Sequence, residues 1–425
     1  MTSLAVAPNL ALDELVNRRR RAGQSLIHLG FGESGLPVPG FLTDRLLAGA
    51  SRNAYGQVGG EPDGREAAAG YFTRRGIAAG PEQIVLAPGS KPILLALLAA
   101  IPGPVVLPQP CWVTYPPQAR LFGKQIISVP VPAESGGVPD PDLLAAALRR
   151  GPVRPGSMVL TMPDNPTGTY PSAETVRRLA EIAESTGMTI ISDEIYRDIV
   201  HDPHDSVTSP ARFVPDRTVV TSGLSKNLAL GGWRIGFARF PATAAGAALR
   251  TDVLAIASEI WSTLAGPMQE VARYVLDEPA DVVAHLRAST RLHATVAAAA
   301  HRIVTDAGAG CRPPTGGFYV YPDFEPVRAA LAGRGVHDSE GLQRHLIDRC
   351  GVAVLGGHHF GDDAGALRFR AATSMLYGDT DDERWLAMRS PDPVALPHIA
   401  RQLDGLRDAF DALVGRSVVT AGQVT

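Results

Sequence analysis

The sequence predicts an α/β fold: a three-layer α/β/α large domain with a mostly parallel sheet, followed by a smaller α+β domain. Two observations carry this. Short apolar or β-branched runs alternate with Ala-rich helical stretches as far as residue 221, and the texture changes after about residue 277. The length agrees, because 425 residues exceed what one hydrophobic core ordinarily supports.

In chain order, the runs at 83–87, 104–107, 124–129, 157–161, 188–192 and 217–221 read as buried strands. Between them, 92–101, 140–150 and 173–185 have helical composition, so the repeated unit is strand, helix, strand. A long Ala-rich helix over 281–307 opens the second domain, and its strands follow at 316–321, 352–355 and 367–370. The Asp- and Pro-rich stretch 377–398 reads as an insertion or loop before a last helix over 399–414, and the tail from about 415 as disordered. The expected division is therefore 1–40 as an N-terminal segment packed with the small domain, 41–280 as the large domain and 281–425 as the small one.

Composition narrows the function. Hydrophobic residues make up 45% of the chain, the mean hydropathy is +0.03 and the formal net charge is -3. That balance gives no electrostatic footprint for nucleic acid or an anionic membrane. The run Arg18 to Arg21 reads as a solvated helix face. Cys111, Cys311 and Cys350 are scattered and have no metal-ligand spacing, so the sequence predicts neither a disulfide scaffold nor a metal site. No apolar stretch reaches membrane-span length and no signal-peptide pattern opens the chain, so a cytoplasmic protein is expected.

In such sheets ligands gather beyond the C-terminal ends of the strands, and the polar motifs lie there. Thr221-Ser-Gly-Leu-Ser-Lys226 leads into Gly231-Gly-Trp-Arg234. Small residues let an amine approach a planar ligand, and desolvation or a neighbouring cation releases the free amine that forms a Schiff base with an aldehyde. Arg234 is placed to hold an anion. A carbonyl captured by Lys226 and a phosphate held by Arg234 together describe pyridoxal phosphate. Asn165-Pro-Thr-Gly168 follows the 157–161 strand, and Asp193-Glu-Ile-Tyr196 ends the next. Asn165 and Tyr196 suit the phenolic oxygen of that cofactor, and Asp193 its ring nitrogen. A protonated ring is an electron sink for a Cα carbanion. Gly89-Ser90-Lys91 opens a helix whose N–H groups suit a phosphate, and Trp112 follows another strand, where it can stack on the ring. Each piece has a bland reading: a surface Lys, a common turn, a strand-end cap, a core Trp.

Taken in order, these motifs resemble the fold-type I pyridoxal-phosphate enzymes of the class I/II aminotransferase group, aspartate aminotransferase-like, over 29–374. Gly32-Glu33, Tyr55 through Arg65-Glu66, Trp112-x-x-Tyr115, Gly317-Phe-Tyr319 and Arg368-Phe369 extend the match. The resemblance implies an enzyme that passes an amino group from an L-amino acid to a 2-oxo acid by a ping-pong route. It implies Lys226 as Schiff-base residue and proton carrier, with Asp193, Asn165, Tyr196 and Trp112 around the ring. Gly89, Ser90, Lys91, Ser222, Ser225 and Arg234 line the phosphate cup. It also implies a homodimer in which Tyr55 reaches the neighbouring subunit's phosphate, and Arg368 as holder of the substrate α-carboxylate, helped by Asn165 and the Gly32 backbone.

The chain departs from the usual pattern at several positions. Gly223 stands where many members carry a phosphate-binding Ser, with Ser222 and Ser225 as candidates to compensate. Glu33-Ser34-Gly35 replaces the commoner Glu-Pro-Asp, His358-His359 occupies a loop that approaches substrate, and Arg370 adds a cation beside Arg368. His359 and Arg370 are therefore further candidates for substrate contact. The same scaffold supports C–C bond formation, β- or γ-replacement and oxidative chemistry, the alternative reading. A non-catalytic ligand sensor is the third; it needs a DNA-binding module ahead of the first motif near Leu29.

Overall fold

The structure, a computed structural model, describes residues 6–150 and 156–416. Seven strands form the main sheet: β1 (Ile84–Ala87), β2 (Val105–Gln109), β3 (Ile126–Pro130), β4 (Ser157–Thr161), β5 (Thr189–Asp193), β6 (Thr218–Gly223) and β7 (Gly236–Arg239). Their order is β1-β7-β6-β5-β4-β2-β3, with β7 antiparallel to both neighbours and the other pairings parallel. The sequence reading missed β7, whose Gly-Phe-Ala-Arg is too short and mixed to announce a strand alone.

Both faces of the sheet are covered, which is why its strands read as unbroken apolar runs. On one face Ile84, Leu86, Val220 and Phe237 pack with Ala68 and Phe72 of the helix Pro62–Arg74 and Val271 of the helix Gly266–Leu276. On the other, Val85, Ala87, Val219 and Ala238 meet Ile93 and Leu97 of the helix Ser90–Ala100 and Val253 of the helix Ala244–Ile260. Alternate residues of one strand thus face opposite layers.

A separate apolar cluster joins Val296 and Ile303 of the 27-residue helix Ala280–Asp306 to Phe369, Ile399 and Phe410. Leu29 and Leu36 of the N-terminal segment belong to it, and Ile27–His28 pairs in parallel with Val352–Ala353. Within 377–398 the chain is not the loop expected: Asp381–Arg389 is a helix, opened by a capping box between Thr380 and Glu383. The box is the signal passed over among the acidic residues. The last helix runs Pro397–Val414; the predicted disordered tail lies, beyond Arg416, outside the described residues.

Candidate active site

A cavity of about 450 Å³ opens between the C-terminal ends of the sheet strands, the N-terminal segment and the C-terminal cluster, with Lys226 in its wall. Lys226 sits in a turn after β6, closed by Leu230 N–H donating to the Leu224 carbonyl at 3.1 Å. Its amine donates to the Gly32 carbonyl at 2.5 Å. Burial, then the charges of Arg370, Arg234 and Lys91, lower the ammonium to about 8 against the opposing pull of Glu33. That puts the nucleophilic free amine within reach of neutral pH.

The floor is made by strand ends. Asp193, the last residue of β5, is 3% exposed, and Oδ2 accepts from the Tyr115 hydroxyl at 2.7 Å. Burial raises its carboxyl to about 6, against the Tyr115, Ile195 and Thr221 hydrogen bonds. Trp112 lines the cavity edge-on to Tyr115 at 5.2 Å, with Ile195 also in the wall. Tyr196 shares a 2.6 Å hydroxyl contact with Tyr319. Asn165 is 5% exposed; Asp164 beside it braces the turn by accepting from Thr167 N–H and Oγ1 at 3.1 and 2.7 Å.

At the far end, Gly89 caps the helix Ser90–Ala100 with φ +92, a left-handed value that glycine adopts at little cost. A Cβ there would stand 2.3 Å from Arg234 Nη2, so the guanidinium lies directly on the helix N-terminus. Ser90, Lys91, Ser225 and Arg234 all line the cavity. N–H groups at a helix start, two hydroxyls and two cations form an anion cup. Ser222 is not in it: its hydroxyl donates to the Glu194 carbonyl at 3.3 Å and the residue is 2% exposed. Gly223 leaves no room for the Ser of other family members, since a Cβ would come 2.8 Å from the Ile235 carbonyl.

The roof corrects the expectation for Arg368, which does not reach the cavity. It precedes the strand Phe369–Ala372, and Asp323 at 2.8 Å and Asp362 at 3.2 Å draw its guanidinium into a neighbouring cleft. Arg370 enters instead, 2% exposed, donating to Asn165 Oδ1 at 3.0 Å and the Gly30 carbonyl at 2.7 Å. The Tyr319 and Phe360 rings flank it at 4.8 and 5.1 Å, and its buried Nε has no partner among the described residues. Gly32 must be small here, because a Cβ would lie 2.5 Å from the Tyr319 hydroxyl.

His359 is likewise outside the cavity wall. Its ring lies tilted against His358 at 3.9 Å in the turn Gly357–Phe360, and burial followed by the His358 charge lowers it to about 4. Tyr55 is 90% exposed, away from this chain's own cavity. Among wall residues, the sequence reading assigned no role to Tyr115, Phe31, Asn9 or Leu10. The Trp-x-x-Tyr spacing was a signal for Tyr115. Asn9 and Leu10, in the helix Pro8–Arg21, carry none. Among the described residues no group of three or more His, Cys, Asp or Glu is placed to hold a metal, and no helix is long and apolar enough to cross a membrane.

The chain is 31% identical over 353 residues to an aspartate/prephenate aminotransferase of Cereibacter sphaeroides, covering 80% of this chain and 85% of that one. It is 30% identical over 382 residues to an aspartate/prephenate aminotransferase of Thermus thermophilus, covering 88% and 92%. Its fold superimposes on the aspartate aminotransferase of Thermus thermophilus with maleate at a TM-score of 0.81 and 24% identity, over 96% of this chain and 100% of that one. The model of the family "Aminotransferase class I and II" matches residues 31–375, and the chain belongs to that family.

Proposed function

We propose that the protein is a pyridoxal-phosphate-dependent aminotransferase that takes the amino group from an L-amino acid and passes it to a 2-oxo acid. The observation that carries this reading is the convergence on one cavity of a buried Lys226, a buried Asp193, and a helix-start anion cup completed by Arg234. The donor set fits the cofactor part by part. The cup would hold its phosphate, Trp112 and Ile195 would pack on its ring, Asn165 and Tyr196 would bind its phenolic oxygen, and Asp193 would hold a proton at its ring nitrogen. Bound there, the cofactor supplies the electron sink for the pair left when a bond at substrate Cα breaks.

The chain's own groups do the rest. Arg370, with an unpartnered Nε and Asn165 alongside, pairs with the α-carboxylate, the role expected of Arg368. That anchor fixes Cα near Lys226, whose amine accepts the Cα proton and returns it. Leu10, Phe31, Trp112 and Ile195 give the cavity its apolar share of wall and limit water. The reading includes a cytoplasmic homodimer in which Tyr55 completes the partner's phosphate cup; the 90% exposure of so large a ring supports a covered position.

No observation favours C–C bond formation or a sensor, and the relatives named above are aminotransferases. The test is a half-reaction. Protein reconstituted with pyridoxal phosphate is given one amino acid at a time, aspartate and glutamate included, without an acceptor. One equivalent of the matching 2-oxo acid per site is expected, and a second oxo acid should then leave as its amino acid. Release of carbon dioxide or of a larger product in place of the oxo acid would overturn the reading.

A further inference from the structure

Behind the Lys226 turn, away from the cavity, lies a buried cluster of charged and polar groups that the reaction above does not use. Its centre is Asp198, two residues after Tyr196, whose side chain is 10% exposed. Oδ1 accepts from Arg75 Nη2 at 2.7 Å and Nε at 2.9 Å. Oδ2 accepts from the Tyr71 hydroxyl and from Asn227 Nδ2, each at 2.9 Å. Arg75 lies 3.5 Å from the Tyr71 ring centroid and pairs in turn with Glu278 at 2.5 Å. The Asp198 carbonyl accepts from Thr290 Oγ1 of the long helix at 3.2 Å.

Asn227 is the link to the site. It follows Lys226 directly, is 4% exposed, and its Oδ1 has no partner among the described residues. The Asn227 side chain thus leaves an acceptor unsatisfied in the interior while its amide nitrogen is held by Asp198, and an orphaned acceptor of this kind costs stability. Apolar packing at 227 would be the cheaper solution for a turn with no positional duty. Asp198 also lies in the turn that follows Asp193 and carries Tyr196, so its carboxylate ties that segment to the one that carries the Lys226 amine. Burial would raise the Asp198 carboxyl, yet Arg75 and the hydrogen bonds from Arg75, Asn227 and Tyr71 hold it below the usual carboxylate range. It therefore remains an acceptor across neutral pH.

We propose that Asp198 is a positioning residue: held by Arg75 and Tyr71, it grips Asn227 and so fixes the Lys226 amine over the floor formed by Asp193 and Tyr196. This rests on the assignment of Lys226 as the cofactor-binding amine.

The test uses the full chain freed of cofactor, Asn227→Leu, which keeps the side-chain volume, Asp198→Asn, and the double variant. The rate at which added pyridoxal phosphate produces the visible band of a Lys226-bound cofactor is followed against pH, with the thermal midpoint recorded beside it. Each single change is expected to slow capture about tenfold and the double change no further, the non-additivity of two groups in one linkage. Capture at the wild-type rate in folded Asn227→Leu, or losses that multiply in the double variant, would overturn the proposal. Should Asp198→Asn fail to fold, Tyr71→Phe, which removes one 2.9 Å bond and keeps the ring, stands in for it, with slower capture expected and an unchanged rate counting against the proposal. If the wild-type chain itself captures no cofactor, the assignment of Lys226 fails; if it does and the variants match it, only the positioning role fails.

Discussion

The floor and the roof of the Lys226 cavity are built differently. The floor consists of strand ends and the turns that follow them, and its polar groups are already partnered: Asp193 with Tyr115, Tyr196 with Tyr319. The roof is assembled from remote pieces, the helix Pro8–Arg21, the segment around Phe31 to Glu33, and Arg370, and it retains the unpartnered Arg370 Nε. A pre-satisfied floor suits a resident group bound the same way in every cycle. A roof with open valence suits a substrate that comes and goes, paying its desolvation only when the ligand arrives.

Variants on the two sides should therefore fail in different ways. Asp193→Ala is expected to have the largest effect, roughly 10³-fold in kcat/KM together with loss of cofactor on dialysis, because breaking a buried charge pair costs about 3–5 kcal/mol. Arg370→Ala should lose roughly 10²-fold in kcat/KM, from a desolvated carboxylate contact worth about 2–5 kcal/mol, with most of the loss in KM and cofactor retention unchanged. Dialysis followed by the absorbance spectrum checks both. An Arg370→Ala protein that sheds cofactor as readily as Asp193→Ala would erase the distinction between floor and roof.

The same contrast explains what could be read from the sequence. Each floor group lies in a short contiguous motif at a strand end, so Lys226, Asp193, Asn165 and Arg234 were legible one by one, as were six of the seven strands. The roof has no such locality. Arg368 and Arg370 are both strand-like arginines in one run, and which of them faces the cavity depends on Asp323 and Asp362 drawing Arg368 aside, carboxylates that no local pattern connects to it. Asn9 and Leu10 reach the wall because the first helix packs through Leu12 and Val16, a tertiary fact. Ser222 failed for the opposite reason: it sits in the right motif, but strand alternation turns its hydroxyl to the Glu194 carbonyl.

A smaller effect tests the electrostatics of the amine where floor and roof meet. Burial and three nearby cations lower Lys226 to about 8, so the free base grows as pH rises toward that value. Cofactor capture by the cofactor-free chain should rise about tenfold per pH unit below pH 8 and level off above it. With Arg370→Ala one lowering charge is removed, and the midpoint should move up. A midpoint near 10, the ordinary value for lysine, would mean the turn admits water freely.

The smallest expected effect belongs to Arg368, and it is the sharpest test of which arginine serves the roof. The side chain is 38% exposed and its two carboxylate partners sit at the mouth of a cleft that does not include Lys226. The Asp323 pair is exposed enough to contribute about 0–1 kcal/mol, but Asp362 is 8% exposed and loses its cation, so Arg368→Ala should lower the thermal midpoint by several degrees. Because neither Asn165 nor the cavity wall depends on Arg368, kcat/KM should stay within about threefold of wild type. A loss comparable to that of Arg370→Ala would return the α-carboxylate to Arg368.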